Sequence, residues 1–156
     1  MKNRVEELVK ELSLLPHPEG GFYKETYRST QEIGNRNLQT AIFFLITDDN
    51  VSRFHKIKSD ELWFFHEGSS LTVHTLDPKN GHQELRLGLD IASGESPQTL
   101  VTADTIFGSC LTEGKGYALV SCTVAPGFDF EDFQLYETQE LLDQYPEHSA
   151  IVNKLT

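Results

Sequence analysis

The chain begins with a helical repeat and then changes period. Val5, Leu8, Val9 and Leu12 recur at i, i+3, i+4 and i+7, which predicts an amphipathic helix over residues 3–13. Pro16 bars its continuation, and Pro18, Gly20 and Gly21 mark a tight reversal. Beyond this break the pattern is extended. Phe22 to Arg28 alternates with aromatic and β-branched residues, and Thr40 to Thr47 is a short apolar run of the buried-strand kind, closed by Asp48-Asp49-Asn50. Further strands are predicted at Ser52–Lys56, Glu61–Glu67 and Leu71–Leu76. The turn Asp77-Pro78-Lys79-Asn80-Gly81 follows, with a return strand over Gln83–Leu89. Segments at Thr99–Val101, Ile106–Leu111 and Tyr117–Val124 complete the set. Helical signal returns only after Leu135. Thr138 is the expected N-cap of a short helix running through Leu142 to about Tyr145 and stopped by Pro146, with one more turn over Ser149–Lys154.

About eight to ten short strands at regular turn spacing predict an all-β sandwich or barrel. No linker, internal repeat or low-complexity tract interrupts the 156 residues. The expected organisation is one domain: an N-terminal helix over 1–15, a β-barrel over 22–133 and a C-terminal helical segment over 135–156.

Composition narrows the function classes. Thirteen basic against 24 acidic side chains give a formal charge of −11, which argues against a nucleic-acid or anionic-membrane partner, since both need clustered Lys and Arg. Cys110 and Cys122 are too few for a disulfide framework and lack the pattern of a structural zinc site, so they are read as buried thiols. The N-terminus lacks the apolar core of a secretory signal, and a cytoplasmic location is the expectation.

The most informative stretch runs from Ser52 to Gly68. His55 ends one strand and Glu61 begins the next, and a hairpin-length connection is expected to aim both at one side of a sheet. Alternation groups Glu61, Trp63 and Phe65 on one face, and Leu62, Phe64 and His66 on the other. An imidazole and an acid beside a Trp suit the mouth of a small-molecule pocket, whose apolar wall gives affinity and whose few polar groups fix orientation. Glu61 on such a strand needs a partner, because a buried carboxylate is costly alone. His17, between two prolines, reads as a helix-exit contact, and His82 and His148 read as exposed loop residues. The tract Phe128-Asp129-Phe130-Glu131-Asp132-Phe133 alternates at period two. Its rings are expected to pack on the barrel, with Asp129 or Asp132 placed to close a pocket.

A His followed by Glu, six residues and Gly resembles the first motif of the cupin superfamily. Four further blocks resemble its uncharacterised cupin-5 branch: Leu15-Pro16-His17-Pro18-Glu19-Gly20-Gly21-Phe22-Tyr23, Glu25-Thr26-Tyr27-Arg28-Ser29, Thr40-Ala41-Ile42-Phe43-Phe44-Leu45 and Val124-Ala125-Pro126-Gly127-Phe128-Asp129-Phe130-Glu131-Asp132-Phe133. With His55-Lys56-Ile57-Lys58-Ser59-Asp60-Glu61-Leu62-Trp63 they run in order along nearly the whole chain. The resemblance implies a double-stranded β-helix, the cupin jelly roll, and a homodimer in which the strand at Phe22–Arg28 contributes to the dimer sheet or pocket rim. It implies no settled reaction.

Metal-binding cupins typically carry a His-x-His pair. Here the sequence reads Phe54-His55-Lys56, and Val101 to Gly108 supplies no second-motif His. A divalent metal is therefore not firmly implied, and His55 and Glu61 are the two ligands it would use, with His74 a third only if that side chain faces inward.

The leading reading is a small-molecule-binding cupin performing metal-free isomerisation or epimerisation of a sugar, a nucleotide-derived or a carboxylated metabolite. His55, Glu61 and Tyr27 are the candidate catalytic residues, with the imidazole as base and Glu61 orienting it. Tyr23, Arg28, Arg53, Trp63, Phe65 and His74 are the candidate ligand contacts. Arg28 or Arg53 could fork onto a carboxylate or phosphate, and Arg28 could equally pair with Glu25 across a dimer. A metal-dependent, dioxygenase-like enzyme and a non-catalytic binding module are the alternatives. Arg53, Lys56, Lys58, Lys24 and Arg28 all lie near the candidate site in sequence, so a locally positive pocket is expected despite the net charge.

Overall fold

The computed structural model describes residues 2–156. Helix α1 (Lys2–Glu11) leads into the short strand β1 (Leu15–Pro16) and then β2 (Phe22–Arg28). A hairpin, β3 (Glu32–Ile33) and β4 (Arg36–Asn37), precedes β5 (Thr40–Thr47), β6 (Ser52–Lys56), β7 (Asp60–Gly68), β8 (Leu71–Asp77) and β9 (Gly81–Leu87). Strands β10 (Gln98–Val101), β11 (Ile106–Leu111), β12 (Tyr117–Ala125) and β13 (Gln134–Leu135) follow, then α2 (Thr138–Gln144) and α3 (Ser149–Lys154).

The strands form two facing sheets with non-sequential order, the double-stranded β-helix of a cupin jelly roll. One sheet runs β1-β2-β5-β12-β7-β10 and the other β13-β6-β11-β8-β9. The sandwich interior is filled by Phe44, Ile46, Trp63, Val73, Leu87, Phe107 and Val120. Strand β5 shows why its sequence reads as an unbroken apolar run. Phe44 and Ile46 enter the interior, while Leu45 packs with Leu8, Leu14 and Leu119 beneath α1. Both faces are covered, so period-two alternation disappears. The outer face of the second sheet is covered in the same way by α2 and α3, where Leu141, Val152 and Leu155 meet Phe54, Leu76 and Cys110. Among the described residues no helix is long and apolar enough to cross a membrane.

Three local features differ from the sequence reading. The β8–β9 turn is tighter than expected, because the Asp77 carboxylate accepts the backbone N–H groups of Lys79 and Asn80, so β9 starts at Gly81 and places His82 on the strand. Thr138 is the first residue of α2, not its cap. The N-cap is Glu137, and the Thr138 hydroxyl pairs with that of Thr156 at 2.7 Å. The 128–133 tract does not stay extended. Asp129 accepts the Glu131 N–H at 2.8 Å and caps a 3-10 turn over Phe130–Asp132.

Candidate functional site

A cavity of about 350 Å³ opens between the two sheets. Its walls come from β2, β5, β6, β7 and β12, from the β1–β2 turn and from the segment at 128–130. A wider groove of about 540 Å³ lies beside α1, but its acids Glu6, Asp48 and Asp49 are exposed. The first cavity, by contrast, is lined by ionisable groups taken out of water: Glu19, His55 and Glu61.

His55 and Glu61 both face this cavity, though not through a hairpin. Strand β6 belongs to one sheet and β7 to the other. The connection at 57–59 therefore crosses the barrel, and the two side chains approach from opposite walls. Against His55 lies a residue that the spacing of the chain did not single out. Glu19 Oε2 lies 2.9 Å from His55 Nε2, with both side chains less than a tenth exposed.

The β1–β2 turn holds Glu19 from several directions. Its Oε1 accepts the Ser52 hydroxyl at 2.9 Å, its carbonyl accepts the Arg53 N–H at 2.7 Å, and its own N–H donates to His17 Nδ1 at 3.1 Å. The Arg53 guanidinium donates to the Pro18 and Glu19 carbonyls. The turn comes so close to β6 that only glycine fits at position 20. Its φ is +112°, and a Cβ there would sit 1.9 Å from the Val51 carbonyl oxygen.

These contacts fix the protonation states. Burial alone would depress the His55 imidazolium. The Glu19 charge and hydrogen bond outweigh it, helped by the Arg53 carbonyl 2.7 Å from Nδ1, and hold His55 above its ordinary value. Burial likewise pushes the Glu19 carboxyl up, but His55, His17 and Ser52 bring it below its ordinary value. Glu19 and His55 are thus an ion pair. Glu61 has no such partner. Burial and the nearby Glu19 charge push it up to about 8, against weaker opposition from His55 and from the Trp63 indole N–H, which donates to it at 3.1 Å. At neutral pH Glu61 is mostly a protonated, neutral acid. His17 is depressed, chiefly by burial. With Nδ1 accepting from Glu19, its ring carries its proton on Nε2.

The proposed contacts divide by position. Tyr23, Arg28, His55 and Glu61 line the cavity. Tyr27 does not, because a β-bulge between Glu25 and Tyr27 resets the alternation of β2. Tyr23 and Glu25 face inward, after the bulge Arg28 faces inward, and Tyr27 is left 51% exposed. Trp63 supports Glu61 from the core and Phe65 packs behind it, neither lining the cavity. Arg53 clamps the β1–β2 turn. His74 lies on β8 beneath the C-terminal helices, where its ring bonds His82. Arg28 pairs within the chain, with Glu25 at 2.6 Å, Asn37 at 2.7 Å and the Phe128 carbonyl at 3.0 Å.

The cavity is not the positive pocket its neighbouring residues suggest. Lys24, Arg53, Lys56 and Lys58 are absent from its lining, and Lys58 extends instead toward Asp132. With Glu61 neutral, three carboxyl groups (Glu19, Glu25 and Asp129) face one guanidinium and one imidazolium. His17, Glu19 and Asp129 all line the cavity. The signal for the first two was a rigid Pro-His-Pro-Glu-Gly-Gly turn carrying two ionisable side chains. The donor set does not fit a metal centre. Both His55 nitrogens donate, to Glu19 and to Arg53, and His17 Nδ1 is occupied by Glu19, so neither offers a lone pair from those atoms.

The fold agrees with comparisons to known proteins. The chain is 30% identical to Uncharacterized protein YML079W of Saccharomyces cerevisiae, over 94% of this chain and 83% of that one. Its structure matches protein SO0799 from Shewanella oneidensis with a TM-score of 0.93 and 44% identity, covering 97% of this chain and 96% of the other. A hypothetical protein from Leishmania major gives 0.90 and 36%, covering 97% of each. Oxalate decarboxylase from Bacillus subtilis shares the fold alone, at a TM-score of 0.59 and 13% identity, with 90% of this chain spanning 36% of that one. The profile of the Cupin_5 family (DUF985) of the cupin superfamily matches residues 6–136, and the chain belongs to that family.

Proposed function

We propose that the protein binds a small, neutral, hydroxyl- or carbonyl-bearing metabolite of the sugar type and catalyses its isomerisation or epimerisation by proton transfer, without a metal. The observation that carries this reading is the burial of Glu61 in a partly apolar cavity, without a cationic partner of its own and beside an ion pair that is already satisfied, which pushes its carboxyl up to about 8. A carboxylic acid with a pKa near 8 is poised to give a proton and take it back near neutrality. His55 is assigned a different role from the base expected from sequence. Its nitrogens are committed to Glu19 and Arg53, so it holds Glu19 charged, and Glu19 in turn keeps Glu61 protonated.

In this mechanism one Glu61 oxygen gives its proton to the substrate carbonyl oxygen while the other takes the proton of the neighbouring carbon, so the carboxyl stays neutral and an enediol forms. The same carboxyl then delivers its proton to the other carbon and takes one from the enediol hydroxyl, completing the isomerisation; delivery to the original carbon after the enediol has turned over gives the epimer. The Tyr23 hydroxyl and the His17 Nε2–H are the donors proposed to hold the oxygen on which charge develops. Ile42, Ile57 and Val124 supply apolar wall. A neutral ligand suits the cavity better than a carboxylate or phosphate, because Arg28 is already held by Glu25 and because acids outnumber cations in the lining. The discriminating experiment incubates the protein with a panel of aldoses, ketoses and their derivatives in deuterated water and follows C–H exchange by NMR. Exchange lost in Glu61→Gln supports the reading. Exchange retained in that variant, or absent across neutral sugars and present only with anionic compounds, counts against it.

We also infer a homodimer built on the β2 edge. Four of the exposed apolar side chains, Leu15, Tyr27, Ile33 and Leu38, lie in the segment between the start of β1 and the start of β5, at 43–61% exposure. Light scattering gives the mass, and Ile33→Lys together with Leu38→Lys is expected to yield monomer.

A further inference from the structure

On the opposite side of the barrel wall from the cavity, three metal-ligating side chains meet on one face of the β8–β9 hairpin. His74 lies directly across the ladder from Glu84, and His82 is two residues from Glu84 on β9, so alternation puts all three on the same side. Their neighbours Val73 and Leu87 point the other way, into the sandwich core. His74 Nδ1 is 2.9 Å from His82 Nε2 and 4.0 Å from Glu84 Oε1. One ligand atom from each of the three lies within 4.8 Å of the others. Two ring nitrogens at hydrogen-bond distance share a single proton, an arrangement that a divalent ion can replace.

We propose that His74, His82 and Glu84 form a zinc-class divalent metal site on the outer face of the second sheet, separate from the cavity. Two imidazoles and one carboxylate are a recognised zinc donor set with one coordination position left open. Zinc–nitrogen bonds of about 2.0–2.1 Å in tetrahedral geometry put the two nitrogens on the order of 3.3 Å apart. The pair has to open by only a few tenths of an ångström from its present spacing. Glu84 is exposed enough to swing in. The far side of the His74 ring is already arranged for this role. Its Nε2 lies 3.6 Å from the Cys110 sulfur, which can accept the Nε2–H and leave Nδ1 as the ligand atom. The charge of Lys154 reaches His74, and the Glu84 carboxylate opposite offsets it. His148 packs its ring 5.7 Å from that of His82. The expectation that His82 is an exposed loop residue is thus replaced by a half-buried strand position in a cluster that the short β8–β9 turn creates.

The test uses full-length protein without a histidine tag, stripped with chelator and titrated with Zn²⁺ by calorimetry and with Co²⁺ by visible absorption. One equivalent is expected, with tetrahedral Co²⁺ bands, and His82→Asn or Glu84→Ala is expected to weaken binding roughly tenfold or more. The exposed position of Glu84 keeps the second variant foldable should the first fail. Glu61→Gln is expected to bind as the wild type does. Absence of saturable one-equivalent binding overturns the proposal. So does binding unchanged in both hairpin variants, or binding lost in Glu61→Gln alone, which would put the ion in the cavity.

Discussion

His55 Nε2 and Glu19 Oε2 face each other at 2.9 Å in a place almost without solvent, and each is the other's main source of charge compensation. Such a pair adds little relative to an apolar pair of the same shape, but breaking it strands one charge in low dielectric. Glu19→Gln and His55→Ala are therefore each expected to destabilise the fold by about 3–5 kcal/mol. Loss of His55 thus does not leave the fold untouched. The pH dependence has a definite sign. Glu19 lies below its ordinary value of 4.5, so its contribution is present above that pH and is lost on acidification. His55 lies above 6.5, so its contribution is full below that pH and fades as pH rises through its folded pKa. Chemical denaturation of the wild type and Glu19→Gln at pH 3 to 8 should show their stability difference largest between about 4.5 and 6.5.

Glu61 has the opposite profile to Glu19. Its folded pKa of about 8 exceeds the unfolded value of 4.5, so burying it is easiest below 4.5 and becomes steadily costlier up to 8. Across that window this group lowers wild-type stability by roughly 1.4 kcal/mol per pH unit at most. Glu61→Gln removes the titration while keeping an acceptor for Trp63. Measured as a function of pH, the variant should gain on the wild type as pH rises from 5 to 8.

The bulge in β2 separates two tyrosines that uninterrupted alternation would place together. Tyr23→Phe is expected to weaken sugar binding about tenfold, the value of one hydrogen bond in a buried site. Tyr27→Phe should leave it unchanged. Calorimetry on both variants with a ligand found in the exchange panel checks this pair.

Gly20 bears directly on the site because it lets the β1–β2 turn carry Glu19 against β6. Gly20→Ala combines a positive φ with a Cβ driven into the Val51 carbonyl, and a loss of about 3 kcal/mol or more is expected in thermal denaturation. Gly34→Ala, also at positive φ but with open space around its Cβ, should cost clearly less.

The strands were legible because hydrophobic period and turn residues are local. Phe22–Arg28, Thr40–Thr47, Ser52–Lys56 and Ile106–Leu111 run as read. The pairing partners were not legible. Ser52–Lys56 and Asp60–Gly68 look like a hairpin in one dimension, yet the two strands lie on opposite sheets. His55 and Glu61 stood out because ionisable residues interrupt apolar strands there. Glu19 did not, since a carboxylate in a Pro/Gly turn is ordinarily solvated. Only the backbone bonds to Arg53 and the absence of a Gly20 side chain bury it. Tyr27 was misplaced by one bulged residue, and His82 by a turn closed two residues early. The first is a one-residue shift of register, which reverses a side chain's direction without altering the hydrophobic pattern around it, and the second lengthens β9 and so brings His82 into the ladder.

The chemistry proposed for the cavity depends on Glu61 being a neutral acid at physiological pH, kept so by burial and by the charge of Glu19. Its most direct test is a carboxyl-carbon NMR titration of protein labelled at glutamate, with the Glu61 resonance assigned by its disappearance in Glu61→Gln. A midpoint near 8 is expected, moving down in Glu19→Gln as the neighbouring charge is removed. A midpoint at or below 4.5 would mean that Glu61 is an ordinary ionised carboxylate, and would contradict the proton-transfer role built on it.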